Sequence, residues 1–167
     1  MGATHDRLLE IYLADHLAAA TAGAALARRA ARSNAGNPTG QFLQRLSAEI
    51  EDDRQTLRRL VQELGFSRSR TKEAAAAVAE KLARLKLNGR LRRYSPLSRV
   101  LELEALSVGI AGKLALWESL QSVPAKSERL RGFDLGHLAE RARQQREEVE
   151  EHRLRAARAA FVGDAAA

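Results

Sequence analysis

Four side chains that could do acid–base or metal chemistry interrupt apolar stripes with helical spacing. The clearest stripe repeats at intervals of four and three residues, and Asp53 is its only charged member: Leu46, Ile50, Asp53, Leu57, Leu60 and Leu64. On helical wheels at 100° per residue, His16, Glu104 and His152 fall within the stripes of three other segments. Buried carboxylates and imidazoles are costly unless they are paired. Each of the four therefore predicts a partner inside the fold.

The stripes around His16, Glu104 and His152 predict the rest of the core. Around His16 they consist of Leu8, Leu9, Tyr12, Ala19, Gly23, Leu26 and Ala27; around Glu104 of Leu97, Leu101, Val108, Ala111 and Ala115; and around His152 of Leu138, Ala142, Gln145, Val149 and Ala156.

The segment that contains Glu104 is apolar on a second side as well. That side consists of Leu103, Leu106, Ile110, Leu114 and Trp117. A helix that is apolar on both sides must be covered twice. The second cover is predicted to be either a short helix that presents Val78, Leu82 and Leu85, or a second copy of the chain. In a homodimer, the contact would run through Leu103, Ile110, Leu114 and Trp117, with Trp117 as its anchor.

Strong helix formers dominate the composition, and helix breakers fall between the periodic segments, so we predict an all-α fold. The chain is expected to form one domain, 1–167, with a disordered tail at 163–167. Ser95 before Pro96, and Asp134, are predicted N-caps, and Gly65 is a predicted C-terminal residue. The expected long helices are 6–32, 41–64, 96–122 and 134–161, with a short helix at 72–87.

The connections between the helices predict how the chain runs. The first and last connections are short, so helices one and two, and helices three and four, should be antiparallel neighbours. The helix at 72–87 would cover about 24 Å, nearly the length of a bundle of such helices. A crossover of that length would make helices two and three parallel.

This arrangement resembles the ferritin-like superfamily, in which one long helical crossover joins two helical hairpins into a four-helix bundle. The resemblance implies that fold for nearly the whole chain. Members that use metal carry a carboxylate on helices one and three and a Glu-x-x-His pair on helices two and four. Here Arg54 stands three residues after Glu51, Val149 stands three before His152, and no Glu-x-x-His occurs anywhere. The ligand pattern is degenerate, and we expect no dinuclear oxidase.

The inward polar groups allow two arrangements. With a full-length crossover, His16 would meet Asp53 and Glu104 would meet His152, about 10–12 Å apart along the axis. We favour these two separate pairs, which would fix the register of the helices. If the middle connection instead returned to its starting end, all four groups would be level. The two imidazoles and two carboxylates, His16, His152, Asp53 and Glu104, could then bind a single Zn²⁺, Fe²⁺ or Mn²⁺. A metal-binding bundle would use Glu49, Asp53, Glu104 and His152, with His16 as a fifth ligand.

The basic residues are concentrated in the middle of the chain. The net charge is +7, and residues 67–99 contain ten basic and two acidic residues. Such a stretch could bind nucleic acid or another polyanion, although the sequence contains no nucleic-acid-binding motif and a solvated basic face is the simpler interpretation. The candidate anion-binding residues are Arg68, Arg70, Lys86, Arg90, Arg92 and Arg93.

The chain lacks cysteine, which excludes disulfides, thiolate metal sites and cysteine nucleophiles. No secretory signal or membrane span is evident, so a cytoplasmic location is expected. We expect a non-catalytic scaffold or interaction protein with no cofactor. The alternatives are a metal-binding or redox bundle that uses Fe, Mn or Zn, and a protein that binds nucleic acid or an anionic surface through its basic crossover.

Overall fold

The computed structural model describes residues 3–66, 94–123 and 130–162, which form long α-helices with no strand among them. The helices are α1 (Ala3–Ser33), α2 (Pro38–Glu63), α3 (Pro96–Gln121) and α4 (Leu135–Phe161). Their ends differ from the predicted ones by three residues at most. The fold is therefore an all-α arrangement of four helices. The predicted short helix at 72–87 and the tail at 163–167 lie outside the described residues.

The ends of the helices carry the predicted signals. The Ser95 side chain accepts a hydrogen bond from the Ser98 backbone N–H, and the Ser98 hydroxyl accepts from the Ser95 N–H. Asp134 caps α4 by accepting from the backbone N–H of His137 (2.9 Å). Gly65 follows α2 with φ +74°, a conformation that side chains rarely adopt. The predictions for Ser95, Asp134 and Gly65 are confirmed.

Neighbouring helices are antiparallel, as the contacts along their lengths show. Near one end of α1, Tyr12 donates to the hydroxyl of Ser119 (3.3 Å), and near the other end Arg29 donates to Glu102 (3.1 Å). Since α1 and α3 are thus antiparallel, and each is joined to its own hairpin partner, α2 and α4 are also antiparallel.

Helices α2 and α3 run in the same direction and lie diagonally across the bundle. Both begin at the end that holds the α1–α2 turn, because the Arg99 side chain near the start of α3 donates to Asn34 Oδ1 in that turn (2.6 Å). Phe66 and Tyr94 therefore lie at opposite ends of the bundle. The residues between them, 67–93, lie outside the described part of the chain, so the helical crossover stays a prediction.

The α1–α2 turn depends on a close approach of two backbone segments. Asn34 is buried and donates to the carbonyl of Ala30 (2.8 Å), while Gly40 packs against the Asn34 carbonyl. A Cβ atom at Gly40 would stand 1.9 Å from that oxygen. Only glycine fits this position without a shift of the backbone.

The predicted core face of α3 is wrong. Leu97, Leu101 and Val108 are 44%, 47% and 73% exposed, whereas Trp117 is fully buried. Both sides of the helix are apolar, and the side with more bulky side chains buries more area against its neighbours. The buried side chains of α3 include Leu103, Leu106, Ile110, Leu114 and Trp117.

This orientation of α3 also overturns the predicted dimer contact. Its four members, Leu103, Ile110, Leu114 and Trp117, are buried within the chain itself. A second copy could not reach them without opening the bundle. The predicted homodimer through this face is therefore wrong.

The faces of the other helices agree with the sequence to different degrees. The α2 stripe is buried in full, and on α4 only His152 is partly exposed. On α1 the prediction is partly wrong, because Leu8 is 61% exposed and Ala19 is exposed. Alanine occupies so much of α1 that the wheel could not define one face. Its buried residues are Leu13, Ala14, Ala18, Ala24, Ala27, Ala30 and Ala31. No helix in the described ranges is long and apolar enough to span a bilayer.

Candidate functional site

A cluster of charged and amide side chains lies at the centre of the bundle, around Asp53 in the middle of α2. Asp53 is only 2% exposed, as its place in the apolar stripe predicts. The Lys113 ammonium of α3 donates to its Oδ2, and the Arg141 guanidinium of α4 donates to its Oδ1. Three helices thus meet at one carboxylate. Both oxygens of the Asp53 carboxylate therefore accept hydrogen bonds from cationic side chains.

The cluster extends through a buried amide to the side of the bundle. Lys113 also donates to Gln145 Oε1, and Gln145 Nε2 donates to Glu49 Oε2 at 2.9 Å. Gln145 is 3% exposed, and both ends of its amide are engaged. Glu49 and Asp53 are therefore connected through Lys113 and Gln145. We refer to Glu49, Asp53, Lys113, Arg141 and Gln145 as the central cluster.

The two cations reach the centre because their side chains are long. The Lys113 side chain is 14% exposed and that of Arg141 is 25% exposed, so apolar stems cover core surface while the charged groups turn toward Asp53. Burial lowers the pKa of the Lys113 ammonium, and the neighbouring Asp53 carboxylate opposes this shift. The ion pair with Asp53 thus compensates part of the cost of placing a charge in the interior.

The structure separates the other three predicted metal ligands from the central cluster. Glu104 is exposed and lies 3.7 Å from Arg153. The His152 ring stacks on Phe42 with 4.0 Å between centroids, and the His16 ring meets the edge of Tyr12 at 4.5 Å.

Neither predicted histidine–carboxylate pair is observed, since the described partners of Asp53 and Glu104 are lysine and arginine. Glu49 and Asp53 alone of the five predicted ligands are joined, and only indirectly. In the described ranges, no three histidine, aspartate or glutamate side chains are grouped so that they could hold a metal ion. Burial lowers the pKa of both His16 and His152, which favours neutral rings.

Sequence reasoning missed Lys113 and Arg141, although Lys113 left a signal. It is the only charged residue between Glu104 and Glu118, in an otherwise apolar helix. The choice of the wrong core face of α3 hid this signal, because it put Glu104 inside and left Lys113 unassigned. Arg141 lies one helical turn before Gln145 but resembles the other arginines of α4 in sequence.

A second polar network, also missed, joins the two hairpins at the end of the bundle. Glu102 accepts hydrogen bonds from the Tyr94 hydroxyl (3.1 Å) and from Arg29. The Asn34 amide nitrogen donates to the Tyr94 hydroxyl oxygen, and the Asn34 amide oxygen accepts from Arg99. Burial raises the pKa of the Tyr94 phenol, so it acts as a neutral donor. This network fixes the start of α3 against the α1–α2 turn.

The candidate anion-binding residues Arg68, Arg70, Lys86, Arg90, Arg92 and Arg93 lie outside the described residues. Comparison of the chain with protein-family models, with curated proteins and with solved structures found no match.

Proposed function

We propose that this chain is a non-catalytic scaffold or interaction protein built on a ferritin-like four-helix bundle. The observation that carries the proposal is the Lys113 ammonium at the centre, bonded to Asp53 and Gln145. An ammonium in this position neutralises the one carboxylate that is fully buried there. It also repels any metal cation that approaches the same oxygens.

The direction of the helices supports the ferritin-like part of the proposal. Adjacent helices are antiparallel and the diagonal pair α2 and α3 is parallel, which is the arrangement expected when one long crossover joins two hairpins. The central cluster ties α2, α3 and α4 at one height. Its charges thus serve the register of the bundle, and the surface is left for contacts with partners.

The metal-binding alternative would use Glu49, Asp53, Glu104, His152 and His16 with Fe, Mn or Zn. The positions of Glu104, His16 and His152 do not favour it, since each has a different neighbour and none contacts the central cluster. Metal bound to these residues would overturn the proposal.

The experiment is elemental analysis of the full, tag-free chain, purified without chelator from medium supplemented with iron, manganese and zinc. We expect less than about 0.1 equivalent of each metal per chain, and oxidation of Fe²⁺ no faster than in buffer. The same analysis is made on two variants that each lack one predicted metal ligand: Asp53→Ala, which removes a buried carboxylate, and Glu104→Ala, which removes an exposed one. About one or two equivalents of metal that are lost in either variant, or iron oxidation above the buffer rate, would contradict the proposal.

A further inference from the structure

A crevice of about 600 Å³ on the outer side of α2, open to solvent, is lined only by polar side chains. Half of the lining residues are arginines, three from α2 and one from α4: Arg54, Arg58, Arg59 and Arg141. The only acidic lining residue is Asp52. We refer to these four arginines as the arginine crevice.

Three of the four guanidinium groups are held in place by neighbouring side chains. Arg54 makes two hydrogen bonds to Glu51 (3.0 and 2.5 Å), and Arg59 donates to the hydroxyl of Thr56 (3.2 Å). Arg141 is fixed by its bond to Asp53. A ligand that binds here would therefore meet donors whose positions are already set, which reduces the entropy lost on binding.

The arginine crevice also has hydrogen-bonding capacity that the described protein groups leave unused. Arg58 and Arg59 are both exposed, and among the described residues no carboxylate lies within ion-pair distance of either side chain. An anion that supplies oxygen atoms would therefore pair with guanidinium charges that no described carboxylate neutralises.

We propose that the arginine crevice binds a compact polyphosphate anion. Guanidinium groups match the oxygens of phosphate with paired hydrogen bonds, and a crevice of about 600 Å³ can admit a compact anion. Apolar and aromatic side chains are missing from the lining, so an acyl chain would find no apolar surface to pack on. None of the four arginines belongs to the basic stretch 67–93 of the sequence, and anion binding here goes beyond the scaffold function.

Titration calorimetry of the full chain with sodium tripolyphosphate at about 0.15 M salt tests this proposal. We expect one saturable site per chain in the wild type. The double substitution Arg58→Gln and Arg59→Gln should weaken binding at least about tenfold, because it removes two charged donors. Arg58→Gln alone should have a smaller effect in the same direction, and both side chains are exposed, so folding should be unchanged.

The matched control is Arg155→Gln with Arg158→Gln, which removes two exposed charges from α4. It should change affinity less than about twofold, since general attraction to net charge is all that it alters. Three results would overturn the proposal: equal weakening by both double variants, loss of binding on neutralising Arg90, Arg92 and Arg93 with no effect of Arg58 and Arg59, or no saturable heat at about 1 mM ligand.

Discussion

Among single residues, Asp53 holds the charged groups of the interior together, because two cationic side chains donate to its carboxylate. Lys113 and Arg141 each donate to one of its oxygens, and no other carboxylate in the described residues lies within ion-pair distance of either side chain. A buried ion pair contributes little compared with well-packed apolar residues, but removal of one partner leaves an uncompensated charge. Loss of the Asp53 charge would leave two cations close together at the centre.

Asp53→Asn should therefore lower the free energy of unfolding by about 3–5 kcal/mol at neutral pH. The measurement is urea denaturation followed by circular dichroism. The adjacent Asp52 is exposed, so Asp52→Asn should change stability by less than about 0.5 kcal/mol. If both variants were equally stable, Asp53 would not be the group that balances Lys113 and Arg141.

Replacement of glycine by alanine should have opposite effects on stability at Gly40 and at Gly112. Gly40→Ala should destabilise the protein by about 1–3 kcal/mol or more, because the new Cβ would meet the Asn34 carbonyl oxygen at 1.9 Å. Gly112→Ala in α3 meets nothing within 4 Å and should stabilise by about 0.5–1 kcal/mol through helix propensity. Thermal unfolding of the two variants distinguishes close packing from conformational entropy, and a stabilising Gly40→Ala would rule out the tight turn.

For the helices, the sequence was sufficient wherever one face or one end carried a distinct chemical signal. The apolar stripe with its spacing of four and three residues defined the core face of α2, and Ser95 with Pro96 defined the start of α3. The face of α3 could not be chosen in this way, because hydrophobic periodicity ranks polar against apolar positions and both sides of α3 are apolar. The size of the side chains decided it, with Trp117 and Leu103 on the buried side.

A leucine pair in α3 tests this orientation directly. Leu103 is fully buried and Leu101, two residues earlier, is 47% exposed. Leu103→Ala should cost about 2–5 kcal/mol in unfolding free energy, because it removes buried methyl groups and leaves a cavity. Leu101→Ala should cost less than about 1 kcal/mol. Urea denaturation of both variants measures the difference, and the reverse order would restore the face first predicted from the sequence.

In the whole molecule, polar networks at two heights fix the two hairpins against each other. The network around Asn34 and Glu102 joins α1 to α3 at the end of the bundle, and the central cluster joins α2 to α3 and α4. The length of the middle connection predicted the parallel course of α2 and α3. It could not predict the partners, because a helical wheel gives the direction of a side chain and not how far lysine or arginine reaches across the bundle.

The pH dependence of stability should show two separate losses on acidification. Burial lowers the pKa of His16 and His152 below 6.5, so the unfolded chain takes up protons first. The two neutral rings therefore make their full contribution to the free energy of unfolding above pH 6.5, and this contribution is lost as the pH falls through the pKa values of the two histidines in the folded state. Hydrogen bonds from Arg54 lower the pKa of Glu51 from 4.5 to about 2, so a further loss follows between these values.

Thermal unfolding from pH 8 to pH 2.5 in the wild type and in two variants separates these contributions. His16→Gln with His152→Gln should remove most of the decline that begins near pH 6.5 and leave the acid limb unchanged. Glu51→Gln should flatten part of the acid limb only, by about 1 kcal/mol or less, because the Arg54 pair is partly exposed. Since Glu51 and the histidines share no contact among the described groups, their effects should add in the triple variant. If the double histidine variant still lost stability as the pH fell below 6.5, protonation of His16 and His152 would not be the cause of that loss.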